Sequence, residues 1–96
     1  MLKANTKIQY WLLLWKEDKL IDNVTYTELV FARVNKKLNT DLSKSRIKEI
    51  VNGILSDENS FIERIGKNYY VRNKKYKIRL TINSSTKRLI TVDSIL

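Results

Sequence analysis

Tyr76-Lys77-Ile78-Arg79-Leu80-Thr81-Ile82-Asn83 is the stretch whose reading decides the fold. Tyr76, Ile78, Leu80 and Ile82 alternate with Lys77, Arg79, Thr81 and Asn83. This is the period-two pattern of a strand with one buried face and one wet face. Leu89 to Ser94 forms the next expected strand, with Ile90 and Val92 as its core pair. A loop at Ser84-Ser85-Thr86 places Leu80 opposite Ile90 and Ile78 opposite Val92. On the other face Arg79 then meets Thr91, and Lys77 meets Asp93. A one-residue slip would put the apolar set in water, so the faces are well specified.

Working upstream, Tyr69 to Arg72 pairs with this strand through a loop at Asn73, with Arg72 opposite Lys77. That register puts Tyr69 and Val71 in the core layer and sets Tyr70 and Arg72 beside Arg79 and Lys77. Like charges opposed on a strand pair are unfavourable, and an anionic partner is one way to offset them. Phe61 to Ile65 leads into Gly66-Lys67, a two-residue hairpin turn with Gly first. The segment therefore reads as four strands in sequence order. One face packs on helices, and the other displays Tyr70, Arg72, Lys77, Arg79, Thr81, Thr91 and Asp93.

Three helices are expected before this sheet. A leader over residues 1–21 carries the first, from about Lys7 to Leu20, with Ile8, Trp11, Leu12 and Trp15 at helical spacing. Tyr10, Leu13 and Leu14 widen its apolar surface, which fits a core helix or a contact with another chain. Tyr10, Trp11, Leu14 and Trp15 are the candidate protein-contact residues, and residues 8–15 the candidate homodimer surface. The apolar run Tyr10 to Trp15 is too short to span a bilayer.

Residues 22–96 are expected to form a single α+β domain. Thr25 and Glu28 have the spacing of a capping box, opening a helix that runs to about Leu38. Val30, Val34 and Leu38 make its stripe, with Tyr26 and Phe31 beside it. Ser43 is a good N-cap for the next helix, and Leu42 and Ile47 are placed as a hydrophobic staple. Ile47, Ile50, Val51, Ile54 and Leu55 give that helix its inward face. Gly53 falls off the stripe and costs about 1 kcal/mol against Ala unless it permits a close contact.

Charge and composition narrow the chemistry. The 96 residues carry a net charge of +9, with no His and no Cys. Imidazole base catalysis, thiol nucleophiles and thiolate metal sites are therefore excluded. No disulfide is needed, so a cytoplasmic protein is the default, with no cofactor expected. The only glycines are Gly53 and Gly66, so no phosphate-binding loop exists. The acids Glu17, Asp18, Asp22, Asp57 and Glu58 form no metal-binding cluster. Residues 1–63 hold ten Lys/Arg and nine Asp/Glu, whereas residues 64–96 hold nine Lys/Arg and only Asp93. Such asymmetry points to a polyanion. Codon bias in an AT-rich genome accounts for abundant Lys, Asn and Ile. It accounts poorly for a basic excess confined to one third of the chain.

Tyr26 to Val30, Arg33 to Leu38, Gly66 to Val71, Ile78 to Ser84 and Ile90 to Asp93 together resemble the domain-of-unknown-function 3781 family of small bacterial proteins. The resemblance covers about residues 22–95. It implies a bacterial cytoplasmic protein and brings no activity, substrate or catalytic residue with it.

The expected function is a small basic module that binds nucleic acid, RNA or a single strand in particular, on the exposed sheet face. Lys67, Tyr70, Arg72, Lys77, Arg79, Lys87 and Arg88 are the candidate contact residues. Arginines and lysines would hold phosphates, while Tyr70 and Tyr76 would stack bases, although the register points Tyr76 inward. Two alternatives stand beside this. One is a ribonuclease of toxin type that works without His, with Arg72 and Arg79 clamping phosphate and Lys67, Lys77 or Tyr70 moving protons. The other is a protein-interaction or inhibitor module, with an acidic protein as partner.

Overall fold

The computed structural model describes residues 23–95. Two helices precede a four-stranded antiparallel sheet in the described residues: α1 (Glu28–Leu38), α2 (Lys44–Ser56), β1 (Phe61–Ile65), β2 (Asn68–Asn73), β3 (Ile78–Asn83) and β4 (Leu89–Ser94). The expected helix over 7–20 and its contact residues Tyr10, Trp11, Leu14 and Trp15 lie outside the described residues. The strands neighbour one another in chain order, so the sheet is an uncrossed meander. This is the α+β architecture that the alternating pattern predicts, with two helices described where three were expected.

Each helix end has its own local cause. The capping box does not form. Thr27 is the N-cap of α1 and makes no side-chain cap bond. Thr25 instead runs beside β4: its N–H donates to the Lys87 carbonyl (2.9 Å), and its carbonyl accepts from the Leu89 N–H (2.9 Å). Pairing with a sheet edge satisfies two backbone groups, which the Thr25 side chain alone would not. At the other end Asn39 adopts φ 56, and Thr40 N–H donates to the Asn35 carbonyl. That is a left-handed helix stop of the kind Asn tolerates. The Ser43 cap of α2 forms as expected, its hydroxyl accepting from Arg46 N–H at 3.1 Å.

The core joins both helices to one sheet face. Val30, Phe31 and Val34 of α1 and Ile47, Val51, Ile54 and Leu55 of α2 cluster with Ile62, Val71, Leu80, Ile82, Leu89 and Val92. Burying an Ile or Leu side chain contributes about 1.5–3 kcal/mol. Tyr69 and Val71 lie in this layer, as the alternation requires.

The register differs from the expected one by two residues in both later hairpins. Arg72 faces Arg79, not Lys77, and Leu80 faces Val92, not Ile90. Ile78 faces Ser94, and Arg79 faces Asp93. A two-residue slip leaves every side chain on its own face, so alternation cannot detect it. Loop length decides instead. β3 starts at Ile78, and the four residues before it form the turn. β4 also carries a bulge: Thr81 faces Thr91, yet Ile82 faces Leu89. The extra residue turns Leu89 inward, and Ile90, expected in the core, is only half-buried.

Both loops use the same five-residue device. Asn73 opens one and accepts Tyr76 N–H on its side-chain oxygen (3.0 Å). Asn83 opens the other and accepts Ser85 and Thr86 N–H (2.9 Å each). Four residues later each loop closes on a lysine in the left-handed region, Lys77 at φ 58 and Lys87 at φ 60. Gly66, also at φ 60, supplies the expected β1–β2 turn.

Tyr76 lies in the first of these loops and packs against the core. Its hydroxyl would stand 2.5 Å from a Cβ placed on Gly53, so the glycine of α2 exists to admit this ring. Tyr76 is therefore a packing residue of the core's margin. Gly53→Ala is expected to destabilise the domain despite the better helix propensity of Ala. In a Tyr76→Phe background the same change should cost less, by about 1 kcal/mol. Chemical denaturation of the four proteins of this cycle measures the coupling, and zero coupling would remove the close contact as the reason for Gly53.

Candidate functional site

The basic residues of the last third separate into two groups at opposite ends of the sheet. One end gathers the β1–β2 turn and the β3–β4 loop, where Ser84 N–H donates to the Lys67 carbonyl (2.8 Å). Lys67, Lys87 and Arg88 belong here. Lys87 is already engaged: its ammonium donates to the Ser84 carbonyl and lies 5.8 Å from the centre of the Tyr69 ring. The other end holds Arg72, Lys74, Lys75 and Lys77. Six residues of β3 separate the ends, a length of about 20 Å.

The face between them is less open than the alternation suggests. Thr81 is buried at 5% exposure, and Tyr70, Arg79, Thr91 and Asp93 are half-buried. The Asn68 amide donates weakly to the Tyr70 hydroxyl (3.5 Å). Arg79 and Arg72 do oppose each other, but each leans toward a carboxylate. Arg79 reaches Asp93 at 3.5 Å, and Arg72 reaches Glu63 at 3.9 Å. Lys37 of α1 also meets Asp93, at 3.4 Å. The like-charge pair is thus offset inside the chain, and an external anion is not required to explain it. These part-exposed pairs are worth about 0–1 kcal/mol each.

The second end contains a broad concavity of about 1130 Å³. Arg72, Lys74, Lys75 and Lys77 line it, with Phe61 and the loop residues Asp57 and Asn59. Arg72 lies over the Phe61 ring, 5.3 Å from its centre. Phe61 is 41% exposed, so an aromatic face and a guanidinium are presented together. None of Lys74, Lys75 and Lys77 makes an ion pair in the described residues. Asp57 is the one carboxylate on the wall. Of the seven candidates from the sequence, only Arg72 and Lys77 stand in this basin. Lys74 and Lys75, adjacent in the turn, complete it. Phe61 and Asn59 carried no sequence signal beyond their place beside the sheet.

A buried polar network fixes the floor of the basin. Asn73 is 1% exposed, and its amide donates to Asp57 (2.8 Å) and to the Ser60 hydroxyl (2.8 Å). Ser60 in turn donates to the Ile54 carbonyl at the end of α2 (2.6 Å). The Asn73 amide and the Asn59 N–H hold the Asp57 carboxyl below the usual carboxylate range, and Lys75 adds to the effect. Asp57 is thereby kept ionised, a single negative charge on the wall beside Arg72, Lys74, Lys75 and Lys77.

The sequence profile of a protein family of unknown function, DUF3781, matches residues 19–93. The chain belongs to this family. The family carries no stated activity, so the reading of the basin rests on its own chemistry. No curated protein and no solved structure matches the chain. In the described residues no cluster of His, Cys, Asp or Glu has the makings of a metal site, and no helix is long and apolar enough to cross a membrane.

The Asp57–Asn73 contact gives a pH expectation. A carboxyl lowered by folding stabilises the native state above its unfolded value. That contribution disappears as pH falls through the folded value. Wild type should therefore exceed Asp57→Asn in stability at neutral pH, and the gap should close on acidification below about pH 4. Asn73→Leu, which leaves the Tyr76 N–H without its acceptor and removes the amide donor to Asp57 and Ser60, should cost about 2–4 kcal/mol. Urea titrations across pH read both effects. A gap that does not change with pH would remove Asp57 from the network.

Proposed function

We propose that this protein is a non-enzymatic module that binds nucleic acid, RNA or a single strand, with the basic basin at the β2–β3 loop as its principal contact. The single observation that carries the reading is the convergence of Arg72, Lys74, Lys75 and Lys77 on one concavity beside exposed Phe61. Cations hold phosphates without regard to sequence, and an aromatic face accepts a base of any kind. Lys74, Lys75 and Lys77 make no ion pair among the described residues and share their wall with one carboxylate, Asp57, which supports the reading. Tyr70, Arg79 and Asp93 serve the sheet more than the ligand in this scheme, since Arg79 is held by Asp93. That same pairing counts against Arg79 as the phosphate clamp of a ribonuclease.

Fluorescence anisotropy with a labelled single-stranded RNA decamer tests the proposal. Affinity should fall steeply as salt rises, with a slope of about −0.7 for each phosphate neutralised. Lys74→Gln with Lys75→Gln should weaken binding and flatten the slope by about 1.4. Lys67→Gln at the far end should have the smaller effect. If wild type shows no salt-sensitive affinity for RNA or DNA at low ionic strength, the reading fails. Cleavage of the decamer would replace it with the ribonuclease alternative.

A further inference from the structure

We propose that the basin selects the end of a strand: it is a site for a terminal phosphomonoester of RNA, preferred over an internal phosphodiester. The inference rests on the nucleic-acid reading above and adds the chemical group that the site recognises. A strand laid along the sheet would need cations at regular intervals. The middle of the face offers none, because Tyr70, Thr81 and Thr91 occupy it, and Arg79, opposite Arg72, is turned to Asp93. At the β2–β3 loop, three lysines of a single four-residue turn converge on one concavity, with Arg72 of the strand before it on the same wall. A terminal phosphate carries about −1.5 to −2 charges and three acceptor oxygens, against one charge for a diester. Convergent point charges match the former.

The backbone supports the same assignment. Lys77 adopts φ 58, a conformation that costs a residue with a Cβ roughly 1–2 kcal/mol and that Gly would adopt freely. Its side chain stands on the basin wall with that of Lys75. Lys87 closes the other loop in the same conformation, so the backbone cost belongs to the loop and the position of Lys77 to the site. Asp57, fixed by the Asn73 amide, is the one carboxylate on the wall, so four cations face a single negative charge there. Arg72 over Phe61 would then receive the terminal nucleotide, phosphate and base on one platform.

Anisotropy with three RNA decamers of identical sequence tests the assignment. They carry a 5′-phosphate, a 3′-phosphate, or hydroxyls at both ends. One of the phosphorylated decamers should bind about tenfold tighter than the hydroxyl-ended one, the gain of one charge-assisted hydrogen bond. The arm that gains shows which end is taken. Lys77→Gly should abolish the preference while raising the melting temperature, because the strain is relieved as the charge is lost. Lys75→Gln should reduce the preference, and Lys67→Gln should leave it intact. Equal binding of all three decamers by wild type overturns the proposal and leaves the general nucleic-acid reading standing. A preference that survives Lys77→Gly with Lys75→Gln overturns it as well. Absence of any RNA binding removes both together.

Discussion

The buried amide of Asn73 is the constraint on which the arrangement of this domain depends. It is the last residue of β2 and is almost wholly enclosed, so each of its polar atoms must find a partner. Its nitrogen reaches Asp57 and Ser60 on the loop that leaves α2, and its oxygen takes the Tyr76 N–H of the following turn. Through Ser60 the chain of bonds continues to the Ile54 carbonyl. One side chain thus ties a helix end, a connecting loop, a strand and a turn. Apolar burial brings these segments together without direction. The amide supplies the direction, and with it the position of the basic loop over its concavity.

Much of this architecture could be read from residue order alone, and the limits of that reading have identifiable causes. Alternation in Ile78, Leu80 and Ile82 places each side chain on its correct face, and the stripe from Ile47 to Leu55 does the same for α2. Registers were misplaced by two residues because a shift of that size conserves every face. What sets them is loop length, and loop length rests on Asn73 and Asn83 side chains and on two lysines with positive φ. Neither signal is visible in hydrophobic pattern. Abundant Asn looks like compositional bias. Yet Asn35 binds both the N–H and the carbonyl of Leu42, so three asparagines each pin a separate connection.

The electrostatic design is one of local settlement and one exception. Asp93, the sole acid in the last third of the chain, serves Arg79 and Lys37 together. Glu28 meets Lys44, and Glu63 meets Arg72. Lys44 and Lys48 also lie over Phe31, where an aromatic face takes the place of a carboxylate. Lys74, Lys75 and Lys77 of the basin make no ion pair among the described residues. The basin's charge was legible as a surplus in the sequence, but its location was not, because the surplus divides between two ends of the sheet. Arg72, Lys74, Lys75 and Lys77 are each visible in the sequence as charges, and the shape of the turn is what gathers them on one concavity.

The docking of α1 against β4 carries a consequence for the birth of the protein. Arg33 of α1 donates to the Ile90 carbonyl, a contact between residues 57 positions apart. Thr25 just before the helix is likewise tied to Lys87 and Leu89. A ribosome adds roughly 5–20 residues per second, so α1 waits on the order of 3–11 seconds for its strand. During that interval Val30, Phe31 and Val34 have no sheet to cover them. The meander, in contrast, closes each hairpin as soon as the next strand emerges. Docking of α1 therefore waits on β4, and a chain interrupted before β4 would leave its earliest described helix without its partner strand.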